Sequence, residues 1–65
     1  MAEIEKITYE VLEEYDADGD GIVDAKKIKV FYDNEDIQYY IAIPITMTDE
    51  EIKNFLLQKL NSWGY

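Results

Sequence analysis

The sequence predicts an α+β fold in which a three-stranded antiparallel sheet is followed by a C-terminal amphipathic helix, in the order β-β-β-α. Two runs of alternating apolar residues meet across a short polar stretch, and the C-terminal segment repeats apolar side chains at helical spacing behind a capping signal. A chain of 65 residues makes one domain and supports a core near the lower limit for independent folding.

The first element, expected over residues 4–13, admits two readings. As a helix it would place Ile4, Ile7, Val11, Leu12 and Tyr15 on one side, and its glutamates favour that form. As a strand it would turn Ile7, Tyr9 and Val11 one way and Thr8, Glu10 and Glu14 the other. Tertiary logic favours the strand, because a two-stranded hairpin is marginal in water and a third strand makes it viable. The helical reading gives the alternative order αββα. An acidic loop, residues 16–25, follows.

The second strand is expected over residues 27–33, where Ile28, Val30 and Tyr32 alternate with Lys27, Lys29 and Phe31. The third is expected over residues 37–45, with Ile37, Tyr39, Ile41, Ile43 and Ile45 on one face. Pro44 has no backbone donor for a ladder and belongs near a strand end or on an edge. A four-residue turn, Asp33-Asn34-Glu35-Asp36, would pair Tyr32 with Ile37, Val30 with Tyr39 and Ile28 with Ile41.

The helix is expected over residues 49–63. Thr48 and Glu51 form a capping box, and Asp49 and Glu50 suit the positive end of the helix dipole. Ile52, Phe55, Leu56, Leu60 and Trp63 then form an apolar stripe that needs a sheet face to cover. Gly64 supplies the stop.

Composition narrows the function classes. Fifteen acids against six bases, with no histidine, give a net charge of −9. That field repels phosphate backbones and anionic membranes, so no direct nucleic-acid contact and no membrane partner are expected. It suits cations and basic protein surfaces. Without cysteine or histidine, and with Ser62 as the only serine, triads and thiol chemistry are excluded, and no enzyme is expected. The longest apolar-rich run, YYIAIPI at 39–45, is far too short to span a bilayer, and the N-terminus has no hydrophobic signal core. A soluble, cytoplasmic chain is the default expectation, with incorporation into a particle or secretion by another route left open.

The residues that carry chemistry lie in DADGDGIVD, 16–24. Asp16, Asp18 and Asp20 stand at every second position, Gly21 follows, and Asp24 comes three residues later. Two like charges ~5 Å apart repel by roughly 0.8 kcal/mol at the dielectric of water. Converging four carboxylates would therefore cost up to about 5 kcal/mol before salt screening, and a bound dication removes that cost.

The stretch resembles the first half of an EF-hand loop, with aspartates at the first, third and fifth positions and glycine at the sixth. It departs from that pattern at the twelfth position, where Lys27 replaces the bidentate glutamate and has no lone pair to offer. It is more similar to the calcium loops of thrombospondin type 3 repeats, dockerin modules and some β-propellers, although those families repeat the loop and here it stands once. The resemblance covers nine to twelve residues and implies a calcium site of Asp16, Asp18, Asp20 and Asp24 with the Ile22 carbonyl. The ion would be structural, and the missing carboxylate implies weak affinity, about 10⁻⁴–10⁻³ M.

Among the aromatics, Tyr9, Tyr32 and Tyr39 fall on the expected core face, and Trp63 is in step with Leu60. Phe31 and Tyr40 point to the opposite sheet face, with Leu12, and are the candidate partner-binding residues. Together these features describe a small acidic protein-interaction module, or an accessory subunit of a larger assembly, with a structural calcium-binding loop. Its partner would be another protein or further copies of itself. The alternative is an acidic inhibitor whose carboxylates stand in for phosphates on a basic nucleic-acid-binding protein surface.

Overall fold

The structure is a computed structural model describing all 65 residues. It contains three antiparallel strands and a C-terminal helix: β1 (Ile7–Tyr15), β2 (Ala25–Tyr32), β3 (Glu35–Pro44) and α1 (Asp49–Ser62). The strands lie in sequence order as a meander with β2 in the centre. The αββα alternative is therefore excluded. The N-terminal segment starts as a strand at Ile7 rather than residue 4, because Ile4–Lys6 close a 3-10 turn first. Lys6 N–H donates to the Glu3 carbonyl at 3.0 Å, and the chain becomes extended at Ile7.

Alternation along the strands builds the core. Ile7, Ile28, Val30 and Ile43 turn to one face and are buried, where Ile52, Leu56 and Leu60 of α1 meet them with no exposed surface of their own. Burying each such helix side chain stabilises the fold by about 1.5–3 kcal/mol. Tyr9, Tyr32 and Tyr39 pack around this cluster half-buried, with the hydroxyls of Tyr9 and Tyr32 reaching polar partners. Only nine of 65 residues are buried, so every core contact carries a large share of the stability.

The helix is closed at both ends as its residues require. Thr48 Oγ1 accepts the Glu51 N–H at 3.2 Å, and Glu51 accepts the Thr48 N–H at 2.9 Å. At the other end Gly64 takes φ +88°, and its N–H and that of Tyr65 donate to the Asn61 and Leu60 carbonyls, both at 3.1 Å. This Schellman closure needs the left-handed conformation that glycine adopts without strain. Trp63 lies just past the helix, half exposed, with its ring edge-on to Tyr39 at 4.7 Å rather than inside the core.

The β2–β3 hairpin corrects one expectation. Val30 opposes Tyr39 and Ile28 opposes Ile41 as expected, but Tyr32 opposes Glu35 rather than Ile37. The turn has two central residues, Asp33 and Asn34, with φ +53° and +64°. That is the turn whose twist matches a hairpin. The register is restored by a bulge in which Ile37 and Gln38 have no partner on β2, with Gln38 at φ +57°. A second irregularity in β1 leaves Leu12 unpaired between Val11, opposite Ile28, and Glu13, opposite Lys27.

The β1–β2 hairpin is longer than the helix that covers it. Nine residues of β1 extend about 30 Å, whereas the fourteen of α1 rise about 21 Å. The loop of residues 16–24 therefore lies at one end of a molecule measuring 40 × 19 × 17 Å. No helix is long and apolar enough to cross a membrane.

Candidate metal centre

The loop joining β1 to β2 is built on the side chain of Asp16. Its Oδ1 accepts the N–H groups of Asp18 at 3.1 Å and Gly19 at 2.8 Å, and its Oδ2 accepts that of Gly21 at 2.6 Å. The chain can coil around one carboxylate because Gly19 and Gly21 adopt φ +79° and +87°. Asp20 accepts the Ile22 N–H at 2.9 Å, and Asp24 accepts the Ala17 N–H across the loop at 2.9 Å. The Asp24 backbone ties the loop to the sheet: its N–H donates to Tyr15 at 3.2 Å and its carbonyl accepts from Ile45 at 3.0 Å.

This coiling brings carboxylates together. One oxygen from each of Asp16, Asp20 and Asp24 lies within 4.8 Å of the others. Asp18 falls outside that trio but lies against Asp24, and the contact between the two carboxylates holds the Asp18 carboxyl above its ordinary range. Asp16 moves the other way. The Gly21 N–H is the largest cause, and those of Gly19 and Asp18 add to it, so its carboxyl stays below the ordinary range. The loop thus presents one carboxylate satisfied by backbone donors and others crowded against like charge. Three close carboxylates could hold a metal ion, and oxygen-only donors select hard cations such as calcium over softer metals.

The strand that follows explains the departure at Lys27. β2 begins at Ala25, so Lys27 is already paired in the sheet, opposite Glu13 and Ala42. It stands in the ladder rather than in the loop, and its ammonium has no lone pair to offer an ion. The loop is flanked by strands rather than helices, which also separates it from an EF-hand. Ile22 projects its side chain into solvent with 67% of its surface exposed.

The uncovered sheet face differs from a plain apolar patch. Lys29 lies between Phe31 and Tyr40, its Nζ 5.4 and 5.9 Å from the two ring centroids, and pairs with Asp36 at 2.9 Å. Leu12 sits on the opposite edge strand at the β1 bulge, so β2 with its lysines separates it from Tyr40. Sequence alternation placed Phe31 and Tyr40 on one face; the ion pair that covers them depends on the bulge bringing Asp36 opposite Phe31. The bond from Tyr9 to Asp49 at 2.7 Å also has no signal in local sequence, because it spans forty positions.

No protein-family model matches the chain, and no curated protein or solved structure matches it either. Fold and loop geometry define it as a small β-β-β-α module carrying an aspartate-clustered β1–β2 loop.

Proposed function

We propose that the protein is a small interaction module, or an accessory subunit of a larger assembly, whose β1–β2 loop is held by a calcium ion. The observation that carries this reading is the convergence of Asp16, Asp20 and Asp24 oxygens within 4.8 Å in a chain of charge −9. Asp18 and the Ile22 carbonyl complete the ligand set in this reading. The ion is structural: it removes the repulsion and fixes one end of the molecule. Calcium at ~100 times its dissociation constant would add about 2.7 kcal/mol, a large share for a core this small.

Melting curves test it. Wild type, Asp16→Asn and Asp20→Asn are compared in calcium and in sodium chloride of equal ionic strength. Calcium is expected to raise the wild-type midpoint by several degrees and to leave both variants within about one degree of their sodium values. Identical calcium responses in all three proteins contradict the site.

A second reading rests on the surface charge. No ionisable side chain is buried, so the whole negative field faces solvent. An acidic inhibitor of a basic nucleic-acid-binding protein would use that field, with binding steeply dependent on salt and indifferent to calcium. The calcium response therefore separates the two readings.

A further inference from the structure

The outer edge of β3 carries features that the loop does not explain. From Ile37 to Thr48 the chain has no charged residue, although it carries −9 overall. Natural edge strands are usually protected by charges, bulges or proline. β1, the other edge, has Glu10, Glu13, Glu14 and the bulge at Leu12. β3 is left bare in its centre.

Its hydrogen-bonding direction follows from one observed bond. Ile45 N–H donates inward to the Asp24 carbonyl. Alternation in an antiparallel ladder then turns Ile43, Ile41 and Tyr39 inward to β2 and turns Tyr40, Ala42 and Pro44 outward. The open donors are the N–H groups of Tyr40 and Ala42. Pro44 has none, and the Gln38 N–H is already given to Asp36 at 2.8 Å. The pairing edge is thus bounded on both sides and centred on Ile41.

We propose that this edge pairs with the same edge of a second copy, Ile41 facing Ile41 across a two-fold axis, to form a continuous six-stranded sheet. This deepens the interaction-module reading, on which it rests, by naming the surface and the partner. In that register Tyr40 and Ala42 of each copy exchange N–H···O=C bonds with Ala42 and Tyr40 of the other, so all four open donors are used. Gln38 stands opposite Pro44, where neither side needs a donor. The charged residues of β3, Glu35 and Asp36, lie beyond the bulge, and the strand of the other copy ends at Pro44, so no like charges meet within the paired segment despite the acidity of both chains. On the open face the large Tyr40 lies beside the small Ala42. On the helix face the half-buried Tyr39 and Ile41 gain cover from Ile43 and Ile41 of the second copy.

Sedimentation and crosslinking test the proposal. Wild type is expected at twice the 7.7 kDa chain mass in the upper part of a concentration series. Ala42→Pro removes an outward donor and no inward one, so it is expected to keep its circular dichroism spectrum and sediment as a single chain. Ile41→Cys introduces the only thiol into a cysteine-free chain. Its Cα would lie about 4.5 Å from its mate, and mild oxidation is expected to link most of the protein into dimers. Gln58→Cys, on the exposed helix surface, is expected to link far less. A single-chain mass throughout, an Ala42→Pro protein that dimerises like wild type, or equal linkage by the two cysteine variants would overturn the pairing. A monomer that calcium still stabilises contradicts the pairing alone and leaves the loop reading standing.

Discussion

Asp16 organises its loop by giving both carboxylate oxygens to backbone N–H groups, and those donors set its acidity apart from that of Asp18. Donors to its charged form hold its carboxyl below the ordinary 3.8. Stability from that group is present above the ordinary value and is lost as pH falls through the lowered one. Asp18, pressed against Asp24, is raised above 3.8, so its contribution has the opposite sign. Its proton favours the folded loop at low pH, and that benefit is lost as pH rises through the raised value. A dication among these carboxylates would reverse the second effect. Carboxyl-carbon NMR titration is expected to find Asp18 above Asp16 without calcium, and saturating calcium is expected to bring Asp18 below 3.8. An Asp18 titration unchanged by calcium contradicts its place in the site. The D-x-D-x-D-G spacing made this convergence legible, because side chains at alternate loop positions can turn inward once glycines allow the coil. It did not reveal that Asp16 would fill its oxygens with backbone donors, which depends on the φ of Gly19 and Gly21.

Elements were legible where a local rule fixes them. Thr48 and Glu51 mark the helix start, Gly64 marks its end, and both closures form as those residues require. The pairing of Val30 with Tyr39 and Ile28 with Ile41 followed from alternation. The turn between them did not, because Asp33-Asn34 adopts left-handed backbone without a glycine to announce it. The first segment was undecided locally, since its apolar residues satisfy both periods; a sheet needing a third strand decided it. The link between β1 and α1 is a long-range contact of the kind local patterns cannot show. Tyr9 donates its hydroxyl to Asp49, with Lys53 also near that carboxylate. The bond to Asp49, then burial, pushes the Tyr9 hydroxyl up to about 12, while the same bond is the largest cause holding Asp49 low. The tie is therefore complete between the ordinary carboxylate value of 3.8 and tyrosine's ordinary 10.0, is lost as pH rises through about 12, and is lost as pH falls through the lowered Asp49 value. Tyr9→Phe keeps the ring and removes the tie, and is expected to lower the melting midpoint at neutral pH by about 4 °C. Equal midpoints at pH 7 and the same alkaline limb in both proteins would show that the bond contributes nothing.

At the scale of the molecule, one small core must hold a long hairpin. Ile52, Leu56 and Leu60 anchor the helix on Ile7, Ile28, Val30 and Ile43, and the β1–β2 loop lies outside that cluster. An ion in that loop would stabilise the end that apolar burial does not reach, and pairing at β3 would extend the sheet on its bare side. Composition showed the acid excess but not its distribution: Lys29 sits between Phe31 and Tyr40, which turns an expected apolar patch into a charged one. The most direct measurement is a calcium titration followed by ¹⁵N–¹H correlation spectra of the whole chain. Expected are saturable shifts with one ion per chain, largest at the amides of Gly19, Gly21 and Ile22 and small across α1. Spectra that do not change in a saturable way up to about 10 mM calcium, well above the weakest sites of this kind, would contradict an ion held by Asp16, Asp20 and Asp24.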